Sequence, residues 1–189
     1  MDVRVEPATA ERWDDVVTVF GTRGDPARCW CSFLLGDRVD YTQRDRNREL
    51  LRDRVTAGPA PGLLAYRDAT PVGWVAAAPR RSFSPRLERS AAMRSRPWDG
   101  DPAAVWAVLC FVVPREHRGQ GVSHALLDGA VAYARSRGAA AIEGAPRDDS
   151  TGRRWSAAMA YTGLASMFDR AGFTVIARLQ DRVVCRLEL

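Results

Sequence analysis

The sequence contains no lysine; all 28 of its basic residues are arginine. So complete an absence reads as genomic base composition rather than mechanism. It removes the nucleotide-binding P-loop, whose glycines are followed by Lys-Ser/Thr. Histidine is nearly absent as well, with His117 and His124 only, each read as a solvated residue rather than a base. No apolar run approaches about twenty residues, which excludes a membrane-spanning helix. No positive–apolar–small pattern opens the chain, so export is not expected. The four cysteines are Cys29, Cys31, Cys110 and Cys185. Cys29-Trp30-Cys31 resembles half of a metal site, but no second pair or nearby His completes it, and no metal is expected. Cys110 and Cys185 lie in buried strand patterns, where a free thiol behaves as a small hydrophobe. A reducing cytoplasm fits. The formal net charge of +5 welcomes a polyanionic ligand. Acidic residues are interspersed throughout and no long basic run occurs, so nucleic acid is not indicated. A length of 189 residues suits one domain, 1–189, with a core of its own.

What is present is organised around residues 105–127. Nine apolar residues, Val105 to Val113, are rich in Val and aromatics and read as a buried strand. Pro114 ends it, because it lacks the N–H a ladder needs. The turn Arg118-Gly119-Gln120-Gly121 then enters a segment with Val122, Ala125, Leu126, Ala130 and Tyr133 at helical spacing. Strand, glycine turn and helix together can hold phosphate. The first helical N–H groups lack partners and lie at the positive end of the dipole. Gly119 and Gly121 remove Cβ atoms from that approach, and Arg118 can fork onto phosphate oxygens. The same residues also suit a tight connection with no ligand. The three-glycine dinucleotide fingerprint does not fit.

Around this centre, residues 2–6 alternate as a half-buried strand. Thr9 is placed to cap a helix carrying Trp13, Val16, Val17 and Phe20 on one face. Residues 27–36 are apolar without period. Tyr41 to Ala57 is a surface helix with Leu50, Leu51 and Val55 as a narrow stripe. Leu63–Arg67 and Pro71–Ala78 read as a hairpin. Residues 79–102, with four prolines and six arginines, read as irregular, and loops of that length are commonly functional or mobile. Gly138 closes the central helix. Residues 139–146 form a second strand, parallel to the first through the crossover. Trp155 to Ala171 reads as a helix ended by Gly172. Phe173–Leu179 and Val183–Leu187 close the chain as a hairpin.

Residues 118–123 resemble the acyl-CoA pyrophosphate pattern Arg/Gln-x-x-Gly-x-Gly/Ala of the GCN5-related N-acetyltransferases (the GNAT superfamily). Arg118 and Gly121 match, and Ser123 stands where the family usually has Gly or Ala. Met167-Phe-Asp-Arg-Ala-Gly-Phe resembles the family's closing Leu-Tyr-x-x-x-Gly-Phe. Cys29-Trp-Cys and Arg118-Gly-Gln-Gly-Val, with Val72-Gly-Trp-Val and Tyr161-Thr-Gly, resemble one bacterial subgroup. The resemblance covers nearly the whole chain. It implies an α/β fold of α+β type, with a mixed, mostly antiparallel sheet of about six to seven strands, a splayed parallel pair and about four flanking helices.

The resemblance also implies acetyl-CoA (coenzyme A) as cofactor and direct transfer of an acetyl group to a primary amine in a ternary complex. The edge at Phe111, Val112 and Val113 would pair with the pantetheine amides, one N–H polarising the thioester carbonyl. Arg118, Gly119, Gln120, Gly121, Val122 and Ser123 would hold the pyrophosphate. The family's glutamate position on the central strand is Ala107, which leaves Glu143 to take the amine proton, directly or through water, or else to pair with an arginine. Phe168 stands at the family's tyrosine position, as a cofactor contact without a proton. Tyr161, read as two helical turns before it, either supplies a phenol to the thiolate or packs on the cofactor, with Ser166 behind it. Residues 27–36 and the arginines of 79–102 would line the acceptor side, which favours an acidic or polar small-molecule amine. Protein lysine or N-terminal acetylation, and a noncatalytic acyl-CoA sensor, are the alternatives; a homodimer is left open.

Overall fold

The computed structural model describes residues 3–35, 40–83, 101 and 104–189. Strand β1 (Arg4–Pro7) leads through a 3-10 turn, Ala10–Arg12, into α1 (Trp13–Phe20). That turn separates Thr9 from the helix, so the expected cap is not made, and the Thr9 hydroxyl meets Glu11 instead. Helix α1 buries Val16, Val19 and Phe20. The aperiodic stretch after it folds as two one-turn helices, α2 (Pro26–Cys29) and α3 (Ser32–Leu35). Helix α4 (Arg44–Ala57) buries Asn47, Leu51 and Val55. The Asn47 side-chain amide donates to Arg28 O at 2.8 Å and Asp40 O at 2.9 Å, tying α4 to α2. An amide in the apolar stripe is accommodated because it is hydrogen-bonded.

Strands β2 (Gly62–Arg67) and β3 (Thr70–Pro79) form the expected hairpin. The core strand β4 (Val105–Val112) is buried at every residue. It is followed by α5 (Val122–Ser136), β5 (Ala141–Gly144), α6 (Ala165–Arg170), β6 (Thr174–Arg178) and β7 (Val183–Glu188). The seven strands form one sheet in the order β1-β2-β3-β4-β5-β7-β6. Only β4 and β5 run parallel. One face packs under α1 to α4, where Phe20 stacks on Trp30 at 4.8 Å and meets the edge of Trp74. The other face packs under α5 and α6 with Leu126, Leu127, Ile142 and Phe168. Each such leucine contributes about 1.5–3 kcal/mol by leaving water. Gly73 lets α5 come this close, since a Cβ there would stand 2.7 Å from the Val122 side chain.

The expected helix over 155–171 is confined to Ala165–Arg170. Residues 155–164 form turns and irregular chain: the Tyr161 and Gly163 carbonyls accept from the amides of Phe111 and Arg147, and Gly163 takes φ +86°. Most of 79–102 lies outside the described residues; Arg80–Ser82 form a 3-10 turn at the end of β3. Among the described residues no helix is long and apolar enough to cross a membrane.

Candidate functional site

The site begins where β4 stops behaving as a regular strand. Against β3, Ala76 opposes Cys110 while Ala77 opposes Val108, so Leu109 is an extra residue, a β-bulge. On the other side the parallel ladder to β5 ends at Val108 and Gly144. Bulge and ladder end coincide, and β4 parts from β5 at this point. Phe111, Val112 and Val113 lie past the split. The Phe111 N–H donates to the Tyr161 carbonyl at 2.6 Å.

Past Pro114, a 3-10 turn at Arg115–His117 leads into the glycine turn. Arg118 Nε donates to Val113 O at 2.9 Å, and Gln120 Nε2 to Glu116 O at 2.8 Å. Arg67 donates to the Gln120 Oε1. These bonds fix the turn onto the end of β4. Gly119 and Gly121 have φ of +70° and +80°, a conformation that favours glycine. A Cβ on either would meet no protein atom within 4 Å, so the turn opens outward. The amide hydrogens of Gly119, Gln120, Gly121, Val122 and Ser123 have no protein acceptor among the described residues. Five consecutive donors at the start of a fifteen-residue helix make a concavity for an anion. Donors so arranged suit phosphate oxygens in chemistry.

The opposite side of the split carries the titratable groups. Ile142 packs under α5, so its neighbour Glu143 points to the other face. Glu143 is 0% exposed; Arg80, 5% exposed, lies 3.6 Å from one of its oxygens and Arg186 lies 3.4 Å from the other. Two guanidinium groups therefore neutralise this carboxylate. Tyr161 is half-buried on the same face, edge-on to Phe33 at 5.8 Å, with the Arg182 guanidinium 5.8 Å from its ring. It stands in a turn, so helical spacing does not relate it to Phe168. Phe168 is itself fully buried, edge-on to Phe111 and Phe173. Ser166 Oγ donates to Asp149 at 2.6 Å. The four cysteines are free and buried, and among the described residues no cluster of His, Cys, Asp or Glu forms a metal site.

Sequence reasoning named none of these three arginines individually, although it set the arginines of 79–102 on the acceptor side and allowed Glu143 an arginine partner. Arg80 lay in a stretch read as irregular, and Arg182 in a hairpin turn. Arg186 was legible: Val183, Cys185 and Leu187 pack under α5 and α6, which turns Arg186 to the Glu143 side.

The chain has relatives among known proteins. A family model described as the acetyltransferase (GNAT) family matches residues 28–153. The chain belongs to that family. No curated protein matches it. Solved structures share the fold throughout. A GCN5-related N-acetyltransferase from Kribbella flavida has 20% identity and a TM-score of 0.59, with 99% of this chain and 98% of that one covered. The PaiA N-acetyltransferase from Thermoplasma acidophilum, in complex with coenzyme A, has 12% identity and a TM-score of 0.54, both chains being covered in full. YncA from Salmonella typhimurium, a putative acetyltransferase with its cofactor acetyl-CoA, has 15% identity and a TM-score of 0.55, covering 99% of this chain and 94% of that one. Acetyl-CoA is the cosubstrate of the GNAT family.

Proposed function

We propose that the chain is a cytoplasmic N-acetyltransferase, one domain over 1–189, that moves an acetyl group from acetyl-CoA to a primary amine of a small molecule. The Cys29-Trp30-Cys31 and Arg118–Val122 motifs support a place in a bacterial subgroup of the family. One observation carries the reading: five adjacent amide hydrogens, free of acceptors among the described residues, open beside a split parallel pair. Bound acetyl-CoA supplies the activated acyl group. The amides of Gly119–Ser123 hold its diphosphate, Arg118 adds charge, and the edge beyond Leu109 orients the arm. The incoming amine reaches the face carrying Glu143 and Tyr161. Glu143 takes the amine proton through a water, its charge held in place by Arg80 and Arg186. Tyr161 gives a proton to the departing sulfur.

Release of free thiol from acetyl-CoA, measured against a panel of small amines and a panel of peptides, tests this. Turnover with small amines supports the proposal. Turnover with peptides alone would assign a protein acetyltransferase, and coenzyme A binding with no turnover on either panel would assign a sensor.

A further inference from the structure

The gap between β4 and β5 is filled by the chain itself. Residues 161–165 run into it and are bonded on both sides. On the β4 side, Phe111 N–H donates to Tyr161 O at 2.6 Å. On the other, Arg147 N–H donates to Gly163 O at 3.0 Å, and Ala165 N–H to Arg147 O at 2.9 Å. Leu164 and Arg147 form a parallel bridge, and Arg147 also bridges Arg182, next to β7. A short length of chain thus stands as an added strand between β4 and the continuation of β5.

A pantetheine arm carries amide N–H and C=O groups of the same kind as a peptide, so it pairs with a strand edge by the same bonds. An amide has a single hydrogen, and that of Phe111 is already given to Tyr161. We propose that residues 161–164 are an internal stand-in for the cofactor arm, and that acyl-CoA binding displaces them from Phe111 and Arg147. This rests on the reading of the β4 edge as the track for the arm.

The strap is held by identifiable contacts. Arg182 Nη1 donates to Thr162 Oγ1 at 2.8 Å and to Ala145 O at 3.0 Å, clamping the strap to the strand it pairs with. Gly163 lies against α6, where a Cβ would stand 2.8 Å from Met167 Cε and 2.9 Å from the Phe168 ring. The chain before it, 152–160, has no helix or strand and is largely exposed. Displacing the strap therefore breaks the contacts just named but moves no regular element ahead of it. Since only the open form would accept the arm, apparent affinity falls by the fraction of molecules that are open. A ligand that reaches the phosphate turn and lacks the arm escapes this reduction.

Hydrogen exchange across 145–165, with calorimetry, tests the strap using coenzyme A and its armless nucleotide half, 3′-phosphoadenosine 5′-diphosphate. Coenzyme A is expected to raise exchange at Arg147 and Ala165 by tenfold or more, and the nucleotide to leave it unchanged. Thr162→Ala, which loosens the clamp, is expected to tighten coenzyme A binding about three- to tenfold without changing the nucleotide's affinity. Bound coenzyme A that leaves the exchange of Arg147 and Ala165 at the nucleotide-bound level overturns the strap. Equal effects of Thr162→Ala on both ligands overturn it too. Failure of both ligands to bind strikes the phosphate turn first, and the strap falls with it.

Discussion

Gly144 and the ring of Phe168 leave no room for a methyl group between them. A Cβ on Gly144 would stand 2.7 Å from Cζ and closer still to Cε1. Phe168 has nowhere to retreat, being fully buried with Phe173 at a centroid distance of 4.9 Å and Phe111 at 6.4 Å. Gly144→Ala is therefore expected to cost about 1–3 kcal/mol through overpacking. A thermal scan should show Tm lowered by roughly 2–4 °C per kcal/mol. Phe168→Leu in the same background should recover part of the loss. An unchanged Tm would show that the ring yields freely.

Glu143→Gln keeps the shape of the side chain and removes its charge. If Glu143 handles the amine proton, kcat/KM should fall more than tenfold and lose its low-pH limb. Arg80 and Arg186 each lose one carboxylate contact at the same time, Arg186 keeping Glu188, so some stability goes as well. Comparing pH–rate profiles with Tm separates the roles. A lower Tm with an unaltered profile would make Glu143 a counter-ion only.

Tyr161→Phe removes one hydroxyl and leaves the ring against Phe33. Loss of a proton donor to the leaving thiolate should lower kcat more than tenfold, with coenzyme A affinity unchanged. Acyl substrates with more acidic thiols should reduce the defect, since their thiolates leave without help. An equal defect across such thiols would contradict the assignment.

The sequence made β4 and its turn legible because their determinants are local: nine apolar residues, a proline that stops them, and two glycines where φ turns positive. Glu143 was legible as the sole carboxylate in the second parallel strand. Its partners were not, since Arg80 beyond β3, Glu143 of β5 and Arg186 of β7 meet only when the sheet assembles. Trp155 to Leu164 misled for a related reason. Its composition tolerates a helix, while Phe111 and Arg147, distant in sequence, supply the hydrogen bonds that draw its end into the sheet. The one-turn helices α2 and α3 are too short to show a period.

The buried thiols give a sign for the pH dependence of stability. Burial raises Cys29 and Cys185 from an ordinary 9.0 to about 12. Cys31 is also raised, by its contact with the Cys110 thiol and by burial. The folded chain keeps these protons where the unfolded chain releases them, so unfolding is favoured as pH rises through about 9 toward 12. Urea midpoints should hold below pH 8.5 and fall steadily above it. Cys29→Ala and Cys185→Ala together should flatten that fall. A midpoint insensitive to alkali would mean the thiols ionise in place.

Gly121 separates backbone shape from ligand access at the phosphate turn. Its φ of +80° and ψ of 0° cost an L-residue about 1–2 kcal/mol. Any side chain there projects into the open mouth rather than into protein. Gly121→Ala should lower Tm by a few degrees and weaken coenzyme A at least tenfold. Gly121→Asn isolates the second effect, because asparagine tolerates the left-handed region. It should regain most of the lost Tm and leave coenzyme A binding weak, since its side chain still obstructs the amides. Calorimetry on the two variants decides between obstruction and strain. Asparagine binding as tightly as glycine would mean that strain alone had weakened the alanine variant, and that the diphosphate passes clear of residue 121.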